Sequence, residues 1–166
     1  EKKESIKTVL LALWKKDNET FNRSEYVALS NALQLYYEAP SRPSPEGEGE
    51  GIFRFFNTFY EFLQRDFVEV LKRDEVKEKD FDISNFLYVL RPYYKGGEFD
   101  YLLNATENLE LLKERFIVFE LDNIKDHPIL FPVVTIIIME VFISNMRKLK
   151  GIRKMILIEE AWKAIA

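Results

Sequence analysis

No cysteine occurs among the 166 residues. That excludes disulfides, thiolate nucleophiles and Cys-ligated metal sites together, and it suits a reducing compartment such as the cytoplasm. The single histidine, His127, has no second imidazole to join it, which disfavours a metal centre. Glycine and proline are scarce at six each, so turns are few and long helices are expected. Nor is there a basic excess: 24 Lys and Arg against 28 Asp and Glu give a net charge of −4. A fold-wide phosphate-binding face is therefore not expected. Finally, no apolar run reaches the roughly 20 residues that span a bilayer. The longest, ILFPVVTIIIMEVFI over residues 129–143, is 15 residues long and contains Thr135 and Glu140, so no transmembrane segment is expected. A signal sequence is also missing: the chain opens EKKESIKT, already inside a helical pattern, and reads as a piece from within a longer protein.

What is present is apolar and aromatic. Hydrophobic residues make up 47%, with 14 Phe and eight Tyr, enough to fill a sizeable core. Ile6, Val9, Leu10, Leu13 and Trp14 recur at helical spacing and predict a helix over residues 5–16. Asn22 followed three residues later by Glu25 has the form of a capping box, and Tyr26, Leu29, Leu33, Tyr36 and Tyr37 continue it as a helix to Ala39. Residues 40–51, PSRPSPEGEGEG, hold three of the six prolines and three of the six glycines and predict a flexible loop. A phosphate-cradling loop is excluded there, since Glu46, Glu48 and Glu50 would repel phosphate and no Gly-Lys-Ser/Thr follows. The stripe Phe53, Phe56, Phe59, Tyr60, Leu63, Phe67, Val70 and Leu71 predicts a third helix, and residues 83–90 a fourth, ended by Pro92.

Beyond Gly96 and Gly97 the texture changes. The run RFIVFEL, residues 115–121, is β-branched and aromatic and predicts a buried strand over residues 116–121. The 15-residue apolar run follows as a helix, entered at Asp126, His127 and Pro128 and stopped by Gly151. KMILI, residues 154–158, predicts a second strand. Strands without polar alternation belong in parallel sheets, so strand, helix, strand reads as a βαβ unit. The expected fold class is thus α/β and helix-rich: an all-α subdomain over residues 1–112, then a sheet fragment over residues 113–166.

Two acids, Glu159 and Glu160, close the second apolar run. Ligands of open α/β sheets sit beyond the carboxyl ends of the strands, which places this pair where one carboxylate can support a Mg²⁺ and the other polarise a water. The alternative is plainer: two acids that solvate the end of a strand. Asp122 and Asp126 follow the first run, where they could face a nucleotide cleft in the full protein, although Asp126 is expected rather to cap the helix. Glu140, alone inside the apolar helix, is expected to contact a Lys, an Arg or another subunit.

The segment LIEEAWKAI, residues 157–165, closely resembles the Walker B region of the conjugation ATPases of type IV secretion systems, where four apolar residues precede Asp-Glu-Ala-Trp. Residues 115–149 are similar to the segment before Walker B in the TraG branch found on conjugative transposons. The helical part resembles the all-α insertion between Walker A and Walker B. The resemblance implies a RecA-like P-loop motor of the FtsK and HerA type, hexameric, cytoplasmic and peripheral to the inner membrane. Such a motor hydrolyses ATP with Mg²⁺ to drive channel assembly or DNA transfer, in company with other secretion-channel subunits. Carried over by position, Glu160 matches the catalytic glutamate and Glu159 the Mg²⁺-supporting aspartate, here one methylene longer. No G-x-x-x-x-G-K-[ST] occurs, so the phosphate cradle is expected upstream of Glu1 and the sensor and arginine elements beyond Ala166. The chain alone is accordingly expected to be inactive. A different role, a helical module that docks to secretion-channel partners without chemistry of its own, is also open.

Overall fold

The computed structural model describes residues 2–15, 19–39, 56–104 and 111–159. The chain divides into two compact units, Glu1–Glu107 and Asn108–Ala166.

In the first unit the helices follow the apolar stripes. Helix α1 spans Lys2–Trp14 and α2 spans Arg23–Glu38. Asn22 caps α2 as a full capping box: its Oδ1 accepts from the Glu25 amide at 2.8 Å, and Glu25 Oε2 accepts from the Asn22 amide at 2.8 Å. Two amides that the helix itself cannot satisfy are thereby paired. The other oxygen of Glu25 takes Lys15 Nζ at 2.9 Å, so one carboxylate both starts α2 and ties it to the end of α1. Loop 40–51, together with residues 52–55, lies outside the described residues.

The third predicted helix is described from Phe56 and contains an unpredicted feature. Helix α3, Phe56–Phe62, passes through a π turn, Leu63–Phe67, directly into α4, Val68–Arg73. Its buried positions Phe59, Leu63, Phe67 and Leu71 recur every fourth residue. At ~3.6 residues per turn such a stripe drifts by about 40° per repeat. One wider turn takes back about as much, keeping Leu63 and Phe67, both fully buried, on the core side. Helix α5 spans Ile83–Leu90, capped by Asp82 Oδ1 on the Asn85 amide at 2.8 Å, and a 3₁₀ turn Arg91–Tyr93 carries Pro92. The short α6 spans Asp100–Leu103. Between them the chain passes so close to itself that a Cβ on Gly97 would lie 2.3 Å from the Pro92 carbonyl oxygen.

Aromatic rings join these helices. Trp14 of α1 meets Phe81 and Phe86 edge-on, at 5.7 and 4.9 Å between centroids. Its indole Nε1 donates to Asn85 Oδ1 at 2.8 Å. Tyr36 of α2 packs edge-on against Phe59 of α3 and shares a short hydroxyl contact with Thr58. Tyr60 stacks on Tyr94 at 4.6 Å and donates to the Leu87 carbonyl at 2.8 Å. A buried tyrosine or tryptophan needs such a partner for its polar end. Lys7 is 5% exposed and gives its three protons to Glu4, Tyr26 and Ser30 at 2.6, 2.8 and 3.1 Å, as a buried ammonium must.

The second unit departs from expectation. Among the described residues there is no β-strand, so the predicted βαβ fragment of a RecA-like parallel sheet is overturned. Residues 116–120 and 153–158 are irregular, and a 3₁₀ turn, Asp122–Ile124, follows the first run. The physical reason is that a strand is a pairing, and among the described residues neither run meets a partner for its ladder. Their side chains stand in solvent with a two-residue alternation. Phe116 and Val118 are 84% and 68% exposed against 39% and 47% for Ile117 and Phe119; Met155 and Leu157 are 87% and 78% exposed against 42% and 48% for Ile156 and Ile158. That alternation is the mark of a locally extended backbone.

Helix α7, Leu130–Lys148, is the expected apolar helix. Pro132 sits at its third position, where the missing N–H would have had no helical acceptor. The capping expected of Asp126 falls instead to His127, whose Nδ1 accepts from the Leu130 and Ile129 amides at 3.1 and 3.3 Å. Gly151 lies just past the end with φ +76°, a left-handed conformation that glycine adopts at no steric cost. By length and composition α7 could cross a membrane. Glu140 at its middle opposes that, at ~2.5–3.5 kcal/mol for an acid near a bilayer centre.

Candidate functional site

The candidate acids close the second unit's last apolar run. Glu159 occupies a turn directly after residues 154–158 and is exposed. Glu160, with Ala161 and Trp162, lies outside the described residues, so the geometry of the pair is not part of the structure. The run that presents Glu159 is anchored at its start: Lys154 Nζ donates to the Met146 carbonyl of α7 at 3.0 Å. Sequence dictates both ends of this arrangement, since an apolar stretch bounded by lysine and glutamate leaves a cation to cap the helix C-terminus and an acid to reach water.

Of the other acids singled out by sequence, Asp122 pairs with Lys125 at 2.6 Å across the 3₁₀ turn, and Asp126 is exposed in the following turn. Glu140 is half-buried on α7. Among the described residues none of these shares a hydrogen bond or ion pair with Glu159, and no group of three metal-ligating side chains occurs there. A lone exposed carboxylate still fits Mg²⁺ of the nucleotide-bound kind. That ion keeps most of its water and takes one or two carboxylates besides the phosphates. It does not fit a metal held by protein alone.

In the first unit, Glu61 gathers a polar group of a different sort. It accepts from Tyr94 Oη at 2.9 Å and lies 3.7 Å from both Arg65 and Lys95. Burial, reinforced by that hydrogen bond to Glu61, raises the Tyr94 pKa, so the phenol stays neutral and donates. The group sets one carboxylate against two cations and belongs to the packing of α3 against the 91–97 turn.

Two features escaped sequence reasoning. Lys7 carries no sign of burial in a helix whose Lys3 faces water. The cations after α7 are plain in the sequence, but charge at a helix end satisfies the dipole and reads as a site only once its exposure is known.

A family model described as TraG P-loop domain matches residues 1–166, and it covers both units. No curated protein and no solved structure matches the chain.

Proposed function

Because the chain belongs to the TraG P-loop domain family, and so to a conjugation-related P-loop NTPase, we propose that Glu159 and Glu160 are the acidic pair of its nucleotide site. The observation that carries this is the exposed turn at Glu159, closing an apolar run within a chain that the family model matches from end to end. Glu160 accepts a hydrogen bond from the attacking water and takes its proton as the bond to phosphorus forms. Glu159 accepts from a water on the metal side; its extra methylene relative to aspartate suits contact through water. Mg²⁺ supplies charge neutralisation for the phosphates when nucleotide is bound.

Hydrolysis then powers channel assembly or DNA transfer in a type IV secretion machine, in a hexameric motor on the cytoplasmic face of the inner membrane with other channel subunits as partners. ATP is held mainly by a phosphate loop that these 166 residues do not contain, so the chain by itself turns over no ATP. The helical first unit serves a second purpose, docking to channel partners. The aromatic side chains of Tyr88 and Tyr101, 75% and 65% exposed, favour this, because exposed tyrosines are common anchors of protein interfaces.

The test is Glu160→Gln in the full-length protein. ATP turnover falls 10²–10⁴-fold, about the usual contribution of a positioned base, while nucleotide binding is kept. Unchanged turnover would assign the pair to solvation alone.

A further inference from the structure

Between Glu140 and Glu159 the chain has no acidic residue, and five of the eight residues 147–154 are basic: Arg147, Lys148, Lys150, Arg153 and Lys154. All five are exposed, at the end of α7 and in the turn beyond it. Part of this charge has a local use, since Lys154 holds the Met146 carbonyl and cations favour a helix C-terminus. That effect fades within the last turn, yet Lys150 and Arg153 lie past Leu149, where α7 has ended. Lys148, Lys150 and Arg153 form no ion pair among the described residues.

Aliphatic side chains are set among the cations. Met146 and Ile152 are exposed and Leu149 is half-buried, whereas residues 143–158 contain no aromatic ring. Single-stranded nucleic acid is recognised by cations interleaved with aromatic platforms, which this turn lacks. Duplex phosphates would take the cations but give exposed Met146 and Ile152 nothing to contact. An anionic bilayer accepts both: cations at the phosphate headgroups and aliphatic side chains at the acyl boundary.

We propose that the turn 147–154 docks the protein on an anionic phospholipid surface, with Lys148, Lys150 and Arg153 at headgroup phosphates and Met146 and Ile152 at the acyl boundary. The proposal is independent of the nucleotide chemistry at Glu159 and Glu160. It also differs from a membrane-spanning α7, because peripheral docking reverses with salt.

The experiment is co-sedimentation of full-length protein with vesicles of phosphatidylcholine alone or containing phosphatidylglycerol. Binding to the anionic vesicles only, reversed by salt, is expected. Lys150→Ala with Arg153→Ala weakens it about 25-fold, five-fold for each cation lost. Ile152→Ser weakens it while leaving the salt dependence unchanged. Circular dichroism and the melting temperature stay as in the wild type and serve as the control for folding, whatever the ATP turnover. Equal binding to neutral vesicles, indifference to the double substitution, or retention on the membrane after carbonate extraction would overturn the proposal. So would a double variant that loses duplex DNA binding but still sediments with the vesicles.

Discussion

At the scale of single residues, the buried charge of Lys7 finds partners in Glu4, Tyr26 and Ser30, and those partners set the pH response. Burial works against the charge on Lys7, but its hydrogen bonds with Glu4 and Tyr26 outweigh that and raise its pKa. The same hydrogen bonds, Lys7 first and Tyr26 second, hold the Glu4 carboxyl below its ordinary 4.5. A lowered acid pKa contributes stability that is present above the unfolded value and lost as pH falls through the folded one. The α1–α2 pairing is therefore expected to weaken on acidification below about the ordinary carboxylate range. Glu4→Gln removes that part of the acid dependence, as read from melting temperature against pH. A variant that melts with the wild-type pH profile would show the pair to be idle. None of this was legible from the sequence, where Lys7 looks like its solvated neighbours. Burial depends on which face of α1 meets α2, and two lysines four residues apart do not reveal that.

Elements were legible where their signal is internal. A capping box, a stripe at helical spacing and a proline stop are contained in one segment, so α2, α5 and α7 could be placed from the sequence. Asn22→Ala should cost about 1 kcal/mol through loss of the cap, and Phe86→Ala about 3–5 kcal/mol through the cavity under Trp14. Both are measurable by denaturant unfolding. Costs near zero would mean that the first unit is not packed around Trp14, Phe81 and Phe86 as described. The π turn was hidden because every-fourth-residue spacing in Phe59, Leu63, Phe67 and Leu71 is within the tolerance of an ordinary helix. The two apolar runs misled for the opposite reason. RFIVFEL and KMILI have strand composition, but composition states a preference that only a pairing partner realises, and among the described residues neither has one. Whether apolar side chains such as Phe116 and Met155 become covered is a property of what surrounds them, which no local pattern encodes.

For the molecule as a whole, function rests on few residues. The family was readable from LIEEAWKAI before any coordinates, because two acids and a tryptophan after four apolar residues form a local motif. The parallel sheet inferred along with it was not supported, which separates recognition of a motif from recognition of its fold. A P-loop NTPase draws most of its nucleotide affinity from the backbone cradle and lysine of the phosphate loop, and residues 1–166 contain no such sequence. Calorimetry of this chain with MgATP should therefore detect no micromolar binding; a micromolar site would place the nucleotide on residues other than those proposed. The most direct test is the division of labour between the two acids, measured as ATP hydrolysis by the full-length protein across a Mg²⁺ titration. Glu160→Gln should lower kcat by at least about 100-fold with the Mg²⁺ requirement unmoved. Glu159→Gln should raise the Mg²⁺ concentration needed for half-maximal rate. Wild-type turnover and wild-type Mg²⁺ dependence in both variants would contradict a catalytic role for the pair.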